Sequence, residues 1–116
     1  MSDDFVIELI SNLEAGLKIQ CIPFFRENIN FKSPALIYEI IEESEQIGID
    51  NKIHALNLEL GLVLFATSYK DLRVRKSALR QILFNQTKKP IECKSEDEFN
   101  EKYKIYSCDY YLRYLL

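Results

Sequence analysis

The segment from residue 51 to residue 66 constrains the fold most, because it is the longest strongly apolar part of the chain. It reads NKIHALNLELGLVLFA, with only a few polar residues and one glycine among the apolar ones. When these residues are plotted at 100° per residue, apolar side chains point in nearly every direction, which is typical of a buried helix. The pattern therefore predicts a buried central helix over about 51–66, with Asp50 as its N-cap.

The composition favours helices around this central element. The chain has 116 residues, of which 47% are hydrophobic, so one domain with a substantial core is expected. Only three glycines and three prolines occur, which is few for an all-β sandwich or barrel with many tight turns. We therefore predict an all-α fold, a single helical domain over residues 1–116 with about five to six helices around the buried central helix.

Apolar spacing and capping residues predict the other elements. The stretch 17–22 alternates apolar and polar residues and fits a short strand or a helix; helix is favoured, since no neighbouring strand is predicted. Residues 86–94 are polar, contain Pro90 and predict a loop. Four more helices are predicted. The first covers about Asp3–Ala15 and stops at Gly16, the second runs from the Ser33 cap and Pro34 to Gly48, and the third covers about Tyr69–Asn85. The fourth begins at the Ser95–Glu98 capping box and reaches Leu116, either continuously or with a restart near Cys108.

Charge is distributed unevenly along the chain. Residues 1–50 hold ten acids and three bases, residues 51–90 two acids and eight bases, and residues 91–116 six acids and four bases. The net charge is −3. The acidic and basic parts could neutralise each other within the fold or present two poles to partners.

Acidic residues without an intervening base follow one predicted helix face. Glu39 and Glu43 are like charges at i, i+4, which costs a few tenths of a kcal/mol in a helix. A locally unfavourable choice of this kind can mark a functional surface. The face is either simply solvated or docks a basic partner. This predicted acidic ridge comprises Glu39, Glu42, Glu43, Glu45 and Asp50.

A basic face follows on the predicted helix 69–85. Together with the buried helix before it, this helix could form a helix-turn-helix that reads DNA. The low overall pI of about 5.2 is not typical of a DNA-binding domain, so neutralisation by the acidic half is favoured. Arg75 falls on the apolar side of this helix, so its charged head must find a partner or lie at an interface. The basic face comprises Lys70, Arg73, Lys76 and Arg80, with Lys88 and Lys89 nearby.

The C-terminal tail holds five of the seven tyrosines. As one helix, it would align its aromatic residues in a single stripe, which is either a packing seam or a protein-binding surface. A break at Ser107–Asp109 would scatter the stripe. Its members are Phe99, Tyr103, Tyr106, Tyr110 and Tyr114, of which Tyr106 and Tyr110 are predicted partner-binding residues.

No catalytic or metal-binding motif occurs. The single histidine, His54, excludes a site with two histidine ligands in one chain, and we expect it to be buried and hydrogen-bonded. With Asn57 and Gly61 it forms one stripe of the predicted central helix, which marks a close helix crossing or the floor of a pocket. We therefore expect a non-enzymatic protein with no metal and no cofactor.

The cysteines and the N-terminus favour a cytoplasmic location. Cys21, Cys93 and Cys108 cannot all pair and form no C-x-x-C motif, which is typical of buried thiols in a reducing compartment. The acidic start MSDDFVIELI has the wrong charge for a secretory signal. The apolar stretch at 56–66 is too short and too polar to span a bilayer.

In general character the chain resembles the small acidic immunity proteins that bacteria make against polymorphic toxins and contact-dependent growth inhibition toxins. The resemblance covers the whole length and consists of a short acidic chain rich in Ile, Lys and Asn, without a catalytic set. It implies a non-enzymatic inhibitor that binds a basic toxin domain one-to-one, often a nuclease, and occludes its active site, with acidic side chains in place of phosphates. The alternative is a DNA-binding regulator that uses the basic helix 69–85. The contact is expected at Glu39, Glu42, Glu43 and Glu45.

Overall fold

A five-stranded sheet with two helices packed on one of its faces forms the fold in the computed structural model, which describes residues 2–24 and 34–116. The side chains of Ser2, Gln46, Ile53 and His54 lie outside the described part. The elements in chain order are α1 (Ser2–Leu17), β1 (Gln20–Pro23), β2 (Ala35–Ile47), β3 (Ile53–Ala66), α2 (Tyr69–Asn85), β4 (Glu92–Asn100) and β5 (Ile105–Leu115).

The strands are ordered β1-β2-β3-β5-β4 across the sheet. The short β1 pairs with β2 in parallel, and the other three pairings are antiparallel. The central strand β3 is therefore hydrogen-bonded on both sides, to β2 and to β5. Within the described residues, β4 forms one edge of the sheet, and β1 with the distal part of β2 forms the other.

The predicted all-α fold is wrong, and the central segment shows why. Residues 53–66 form β3, in which every second side chain from Leu58 to Ala66 is at most 1% exposed. Leucine at alternate positions is the period of a strand, and these side chains face the helices. The intervening positions include Val63 and Phe65, so a helical plot of the same residues appears apolar all round. Cross-strand pairing on both sides decided in favour of the strand.

The predicted helix that ends at Gly48 is also a strand, β2, and its predicted Ser33 cap lies outside the described residues. The register between β2 and β3 shifts by one residue between Ile40 and Glu42. This irregularity is a β-bulge, which changes the face on which each later side chain lies. The apolar residues of β2 look helical in sequence because the bulge interrupts their alternation.

The predicted C-terminal helix is replaced by the antiparallel pair β4 and β5. The Ser95–Glu98 motif, which fits a capping box, lies inside β4. Tyr106, Tyr110 and Tyr114 still share a face, because a spacing of four residues keeps side chains together on a strand as well as on a helix. They face the helices and belong to the core or pack against it.

Two of the predicted helices, those at about Asp3–Ala15 and Tyr69–Asn85, are confirmed as α1 and α2. The apolar residues of α1 and α2 are buried, and the Ser68 hydroxyl accepts a hydrogen bond from the Asp71 backbone N–H at 3.1 Å, which caps α2. The predicted helix at 17–22 is wrong, because residues 20–23 form β1 against β2, a neighbour that the sequence did not reveal. The main core lies between these two helices and the sheet, which leaves the opposite face of the sheet without a described helix.

Candidate protein-binding face

The face of the sheet opposite α1 and α2 carries a strongly acidic surface. We call it the helix-free face, because no helix of the described residues packs on it. The register places on it the odd-numbered residues of β3 and β5, the even-numbered residues of β4, and Glu39 and Glu42 of β2. Near β1 this side is not exposed, since Ala35 and Ile37 are at most 7% exposed. Among the described residues, the charged side chains on this face from β2 to β4 are seven acids, Glu39, Glu42, Glu59, Glu92, Glu96, Glu98 and Asp109, and two bases, Lys94 and Arg113.

A network of polar side chains crosses the centre of this face. The Tyr111 hydroxyl donates a hydrogen bond to Oε1 of Glu59, and Nε of Arg113 donates one of 2.7 Å to Oδ1 of Asn57. Each bond joins β5 to β3 diagonally, between residues two positions apart in the register. Because these partners hold each other, the polar surface is ordered without a ligand.

The carboxyl groups of Glu42 and Glu59 lie on neighbouring strands and affect each other's pKa. A hydrogen bond with Glu59 and the repulsion from its charge raise the pKa of Glu42. The pKa of Glu59 is lowered, mainly because it accepts the hydrogen bond of Tyr111, and the same bond raises the pKa of Tyr111 to about 12. Of the two carboxyl groups, Glu59 therefore stays ionised to lower pH.

Gly61 makes room for part of this surface. A Cβ atom at this position would lie 3.3 Å from Cγ of Glu39 and 3.3 Å from Cδ1 of Ile41. The absence of a side chain thus lets these two residues of β2 lie across β3. Of the predicted stripe, Asn57 and Gly61 share the helix-free face, whereas the side chain of His54 is outside the described part.

An acidic hollow of about 290 Å³ lies at the β4 end of the helix-free face. Its apolar walls include Val63, Phe65 and Ile105, and the carboxylates of Glu98 and Asp109 reach it from neighbouring strands. Burial and then the nearby Glu96 raise the pKa of Asp109. An apolar hollow that contains carboxylates has the chemistry to take a cationic side chain with an aliphatic stem.

The predicted acidic ridge is divided by the fold. Glu39 and Glu42 lie on the helix-free face, whereas Glu43 and Glu45 are opposite Leu58 and Leu56, on the other face of the sheet. Asp50 lies in the turn between β2 and β3, where its Oδ1 accepts a hydrogen bond of 3.1 Å from the Lys52 backbone. The residues of the predicted acidic ridge therefore lie in three places: the helix-free face, the opposite face of the sheet, and the turn between β2 and β3.

The two predicted tyrosine contacts lie on the helix side. Tyr110 is only 8% exposed, and burial, followed by the nearby Cys108 thiol, raises the pKa of its hydroxyl. Tyr106 is half-buried, with its ring centroid 4.6 Å from that of Phe99 and 5.9 Å from that of Tyr69. Both residues pack within the domain in this structure and add nothing to the helix-free face.

Several residues of the face were not predicted. Glu59, Asp109, Tyr111 and Arg113 are far from the ridge in sequence and join it only through strand pairing. The alternation of polar and buried residues over 105–115 was the available signal, since a period of two indicates a half-buried strand.

The basic face exists on α2, but the predicted helix-turn-helix does not. The segment before α2 is the strand β3, so no helix precedes it in the required geometry. Lys70, Arg73 and Arg80 are exposed, and Nζ of Lys76 lies 2.8 Å from Oδ1 of Asp97 on β4. Part of the basic charge is thus neutralised by the acidic edge strand.

The described residues hold no group of three or more His, Cys, Asp or Glu side chains that could bind a metal ion. Burial raises the pKa of the thiols of Cys21, Cys93 and Cys108, to about 12 for Cys21 and about 11 for Cys108. Neutral thiols are poor nucleophiles. No helix in the described part of the chain is long and apolar enough to cross a membrane.

No model of a known protein family matches this sequence, and no curated protein matches it significantly.

Proposed function

We propose that this protein is a non-enzymatic inhibitor of the immunity type, which binds a basic domain of a toxin through its helix-free face. The observation that carries the proposal is the charge of one face of the sheet, on which the described residues include seven acids and only two bases. The resemblance to small immunity proteins in length, acidity and composition supports it independently. The acidic ridge of the sequence interpretation is replaced by this larger surface as the docking site.

Charge complementarity supports a nuclease as the toxin. The active-site cleft of a nuclease is basic because it binds phosphates, and an array of carboxylates can occupy the same positions. On the helix-free face the carboxylates are spaced by the strands, about 4.8 Å apart across the sheet. The hydrogen bonds of Glu59 and Arg113 order the centre beforehand, which lowers the entropy cost of binding.

The acidic hollow supports a specific anchor for the partner. An arginine or lysine of the toxin would place its aliphatic stem against Val63 and Phe65 and its charge beside Asp109 and Glu98. A buried, paired cation of this kind is a common hot spot of protein interfaces. The proposal includes a cytoplasmic monomer that forms a one-to-one complex.

The test is protection from a toxin encoded beside this gene. The C-terminal domain of the neighbouring toxin is expressed in a bacterial host with this chain, and growth is measured together with the affinity of the purified complex. We expect the chain to restore growth. The double variant Glu39→Lys, Glu98→Lys should weaken the complex at least a hundredfold, because two exposed carboxylates on the face become repulsive.

A matched control separates the helix-free face from overall charge. The double variant Glu8→Lys, Glu45→Lys makes the same change in net charge at exposed positions off this face. It should protect like the wild type. The docking proposal fails if the control loses protection and the face variant keeps it, and the immunity proposal fails if the wild type neither binds nor protects.

A further inference from the structure

A second cleft lies on the opposite side of the sheet from the helix-free face. It has a volume of about 230 Å³ and separates α2 from the edge strand β4. The cleft exists because α2 packs on β3 and β5, so that β4 extends beyond the helix. Among its lining residues are Lys76, Ser77, Arg80, Cys93, Ser95 and Tyr110.

Hydrogen-bond donors reach this α2–β4 cleft from both walls. Lys76 and Arg80 are one helical turn apart on α2, and the hydroxyls of Ser77 and Ser95 lie on the helix and on the facing strand. Two cations and two hydroxyls around one small cavity form a donor set for an anion with several oxygens.

The two cations have different partners. Lys76 is held by Asp97 at 2.8 Å, so its charge is largely neutralised and its ammonium group is fixed at the cleft. Arg80 forms no ion pair with a carboxylate in the described part of the chain; its guanidinium lies 5.1 Å from the centroid of the Phe84 ring. Arg80 is therefore the cation with its charge available to a ligand.

The rest of the cleft limits the size and polarity of a ligand. The floor includes Leu83 and the largely buried Tyr110, and burial raises the pKa of the Cys93 thiol, which stays neutral. A volume of 230 Å³ is below the usual range of about 300–1,000 Å³ for drug-sized ligands. The cleft thus suits a small anionic group attached to a compact apolar part.

We propose that the α2–β4 cleft binds a phosphate monoester, with Arg80 as the principal contact. A phosphate monoester carries about −1.5 to −2 charges at pH 7 and three terminal oxygens. The planar fork of arginine matches two of these oxygens, and the hydroxyls of Ser77 and Ser95, which line the same cleft, are donors for the third. A carboxylate, with two oxygens in one plane, would leave part of this donor set unused.

The test is a titration of the full chain at pH 7.5, followed by two-dimensional amide NMR. The probes are phenyl phosphate, phenyl sulfate and a capped Ala-phosphoserine-Ala tripeptide. We expect phenyl phosphate to shift the amide signals of residues 76–80 and 93–95 with saturation, and phenyl sulfate to bind at least fivefold more weakly. Tighter binding of the tripeptide indicates a phosphorylated protein as the source of the group, and tighter binding of phenyl phosphate indicates a free small molecule.

Two arginine variants on α2 make the result specific. Arg80→Gln should weaken phenyl phosphate binding about tenfold or more, since hydrogen bonds to charged groups are the strong ones. Arg73→Gln is the matched control, because Arg73 is also exposed and its guanidinium lies 5.9 Å from the centroid of the Tyr69 ring. This variant removes the same charge and should change the affinity less than twofold.

The proposal is overturned if phenyl phosphate does not bind, if phenyl sulfate binds equally well, or if the two arginine variants weaken binding equally. Thermal unfolding of both variants checks that the fold is intact. The result is independent of the proposed inhibitor function, because the cleft and the helix-free face lie on opposite sides of the sheet.

Discussion

Nη1 of Arg75 donates a hydrogen bond of 2.8 Å to the backbone carbonyl oxygen of Leu17, and so joins α2 to the last residue of α1. Its Nε also lies 3.0 Å from Oδ2 of Asp71, one turn earlier on α2. The sequence indicated that this arginine, on the apolar side of its helix, needs a partner, and that prediction is confirmed. A carbonyl at a helix end has no partner within the helix, so the arginine satisfies it.

Arg75→Met should therefore lower the free energy of unfolding by about 1–2 kcal/mol, because the carbonyl of Leu17 and the carboxylate of Asp71 both lose a charged donor. Urea unfolding monitored by circular dichroism measures the change. Arg73→Met, at an exposed position on the same helix, should change it by less than about 0.5 kcal/mol. Equal effects of the two variants would show that Arg75 contributes only helix charge.

The hydroxyl of Tyr114 has no hydrogen-bond partner in the described part of the chain, although the residue is completely buried. Its ring packs edge-on against Phe5, with centroids 4.7 Å apart. An unsatisfied buried hydroxyl costs free energy, so Tyr114→Phe should raise the free energy of unfolding by about 1 kcal/mol. The hydroxyl of Tyr110 is not among the buried, unpaired groups of the described residues, so Tyr110→Phe should not raise the free energy of unfolding. A gain of stability for Tyr114→Phe but not for Tyr110→Phe is the expected result in thermal unfolding; a loss of stability for Tyr114→Phe would contradict it.

Asp109 in the acidic hollow should make stability depend on pH. Because burial raises its pKa in the folded state, the folded protein binds this proton more tightly than the unfolded chain does. Below about pH 3.8, its ordinary pKa, the carboxyl group is neutral in the folded and the unfolded state and costs no stability. As the pH rises through the folded-state pKa, the group becomes charged in its partly buried position and destabilises the fold. Asp109→Asn should be more stable than the wild type at pH 7, with the difference shrinking towards pH 3.

Unfolding in urea from pH 3 to pH 7 measures this difference. Glu96→Gln is the companion variant: the charge of Glu96 is the second cause of the raised pKa, so its removal should give a smaller change of the same sign. A pH-independent difference for Asp109→Asn would contradict the assignment to its ionisation. Asp109→Asn should also weaken binding of a basic partner, so that the carboxylate lowers stability but contributes to binding.

Gly16 lets α1 approach Ile82 of α2 closely. A Cβ atom at this position would overlap Cδ1 of Ile82 on α2. Gly16→Ala should therefore lower the free energy of unfolding by about 1 kcal/mol. This is the net change, after the preference of alanine over glycine in a helix, about 1 kcal/mol, has offset part of the overlap. Ile82→Val removes the overlapping methyl group, so the double variant should be more stable than the sum of the single changes predicts. Additive effects in a double-mutant cycle would show that the helices move apart freely.

The helices were predictable because their signals are local. The residues of α2 carry an apolar stripe at helical spacing, a Ser68 cap and a following polar loop, and the predicted bounds Tyr69–Asn85 are those observed. Gly16, which was predicted to stop the first helix, does not end it. The helix α1 continues to Leu17, and Lys18 ends it by taking the left-handed conformation, with a φ of 55°.

The strands were not predictable in the same way, because their signals are shared with helices. A spacing of four residues, as in Tyr106, Tyr110 and Tyr114, occurs on one face of either element. The bulge near Ile41 breaks the alternation of β2, and the odd positions of β3 are apolar enough to resemble a buried helix. Only pairing with other strands separates the two interpretations.

What the sequence by itself determined is the acidic character of the chain, the two helices at 2–17 and 69–85 and the leucines of the core. The tertiary structure decided which charges share a surface. Glu39, Glu59 and Asp109 come from three strands, and the register of each pairing sets the face on which each carboxylate lies. A shift of one residue would have reversed these faces, because successive side chains of a strand point to opposite sides.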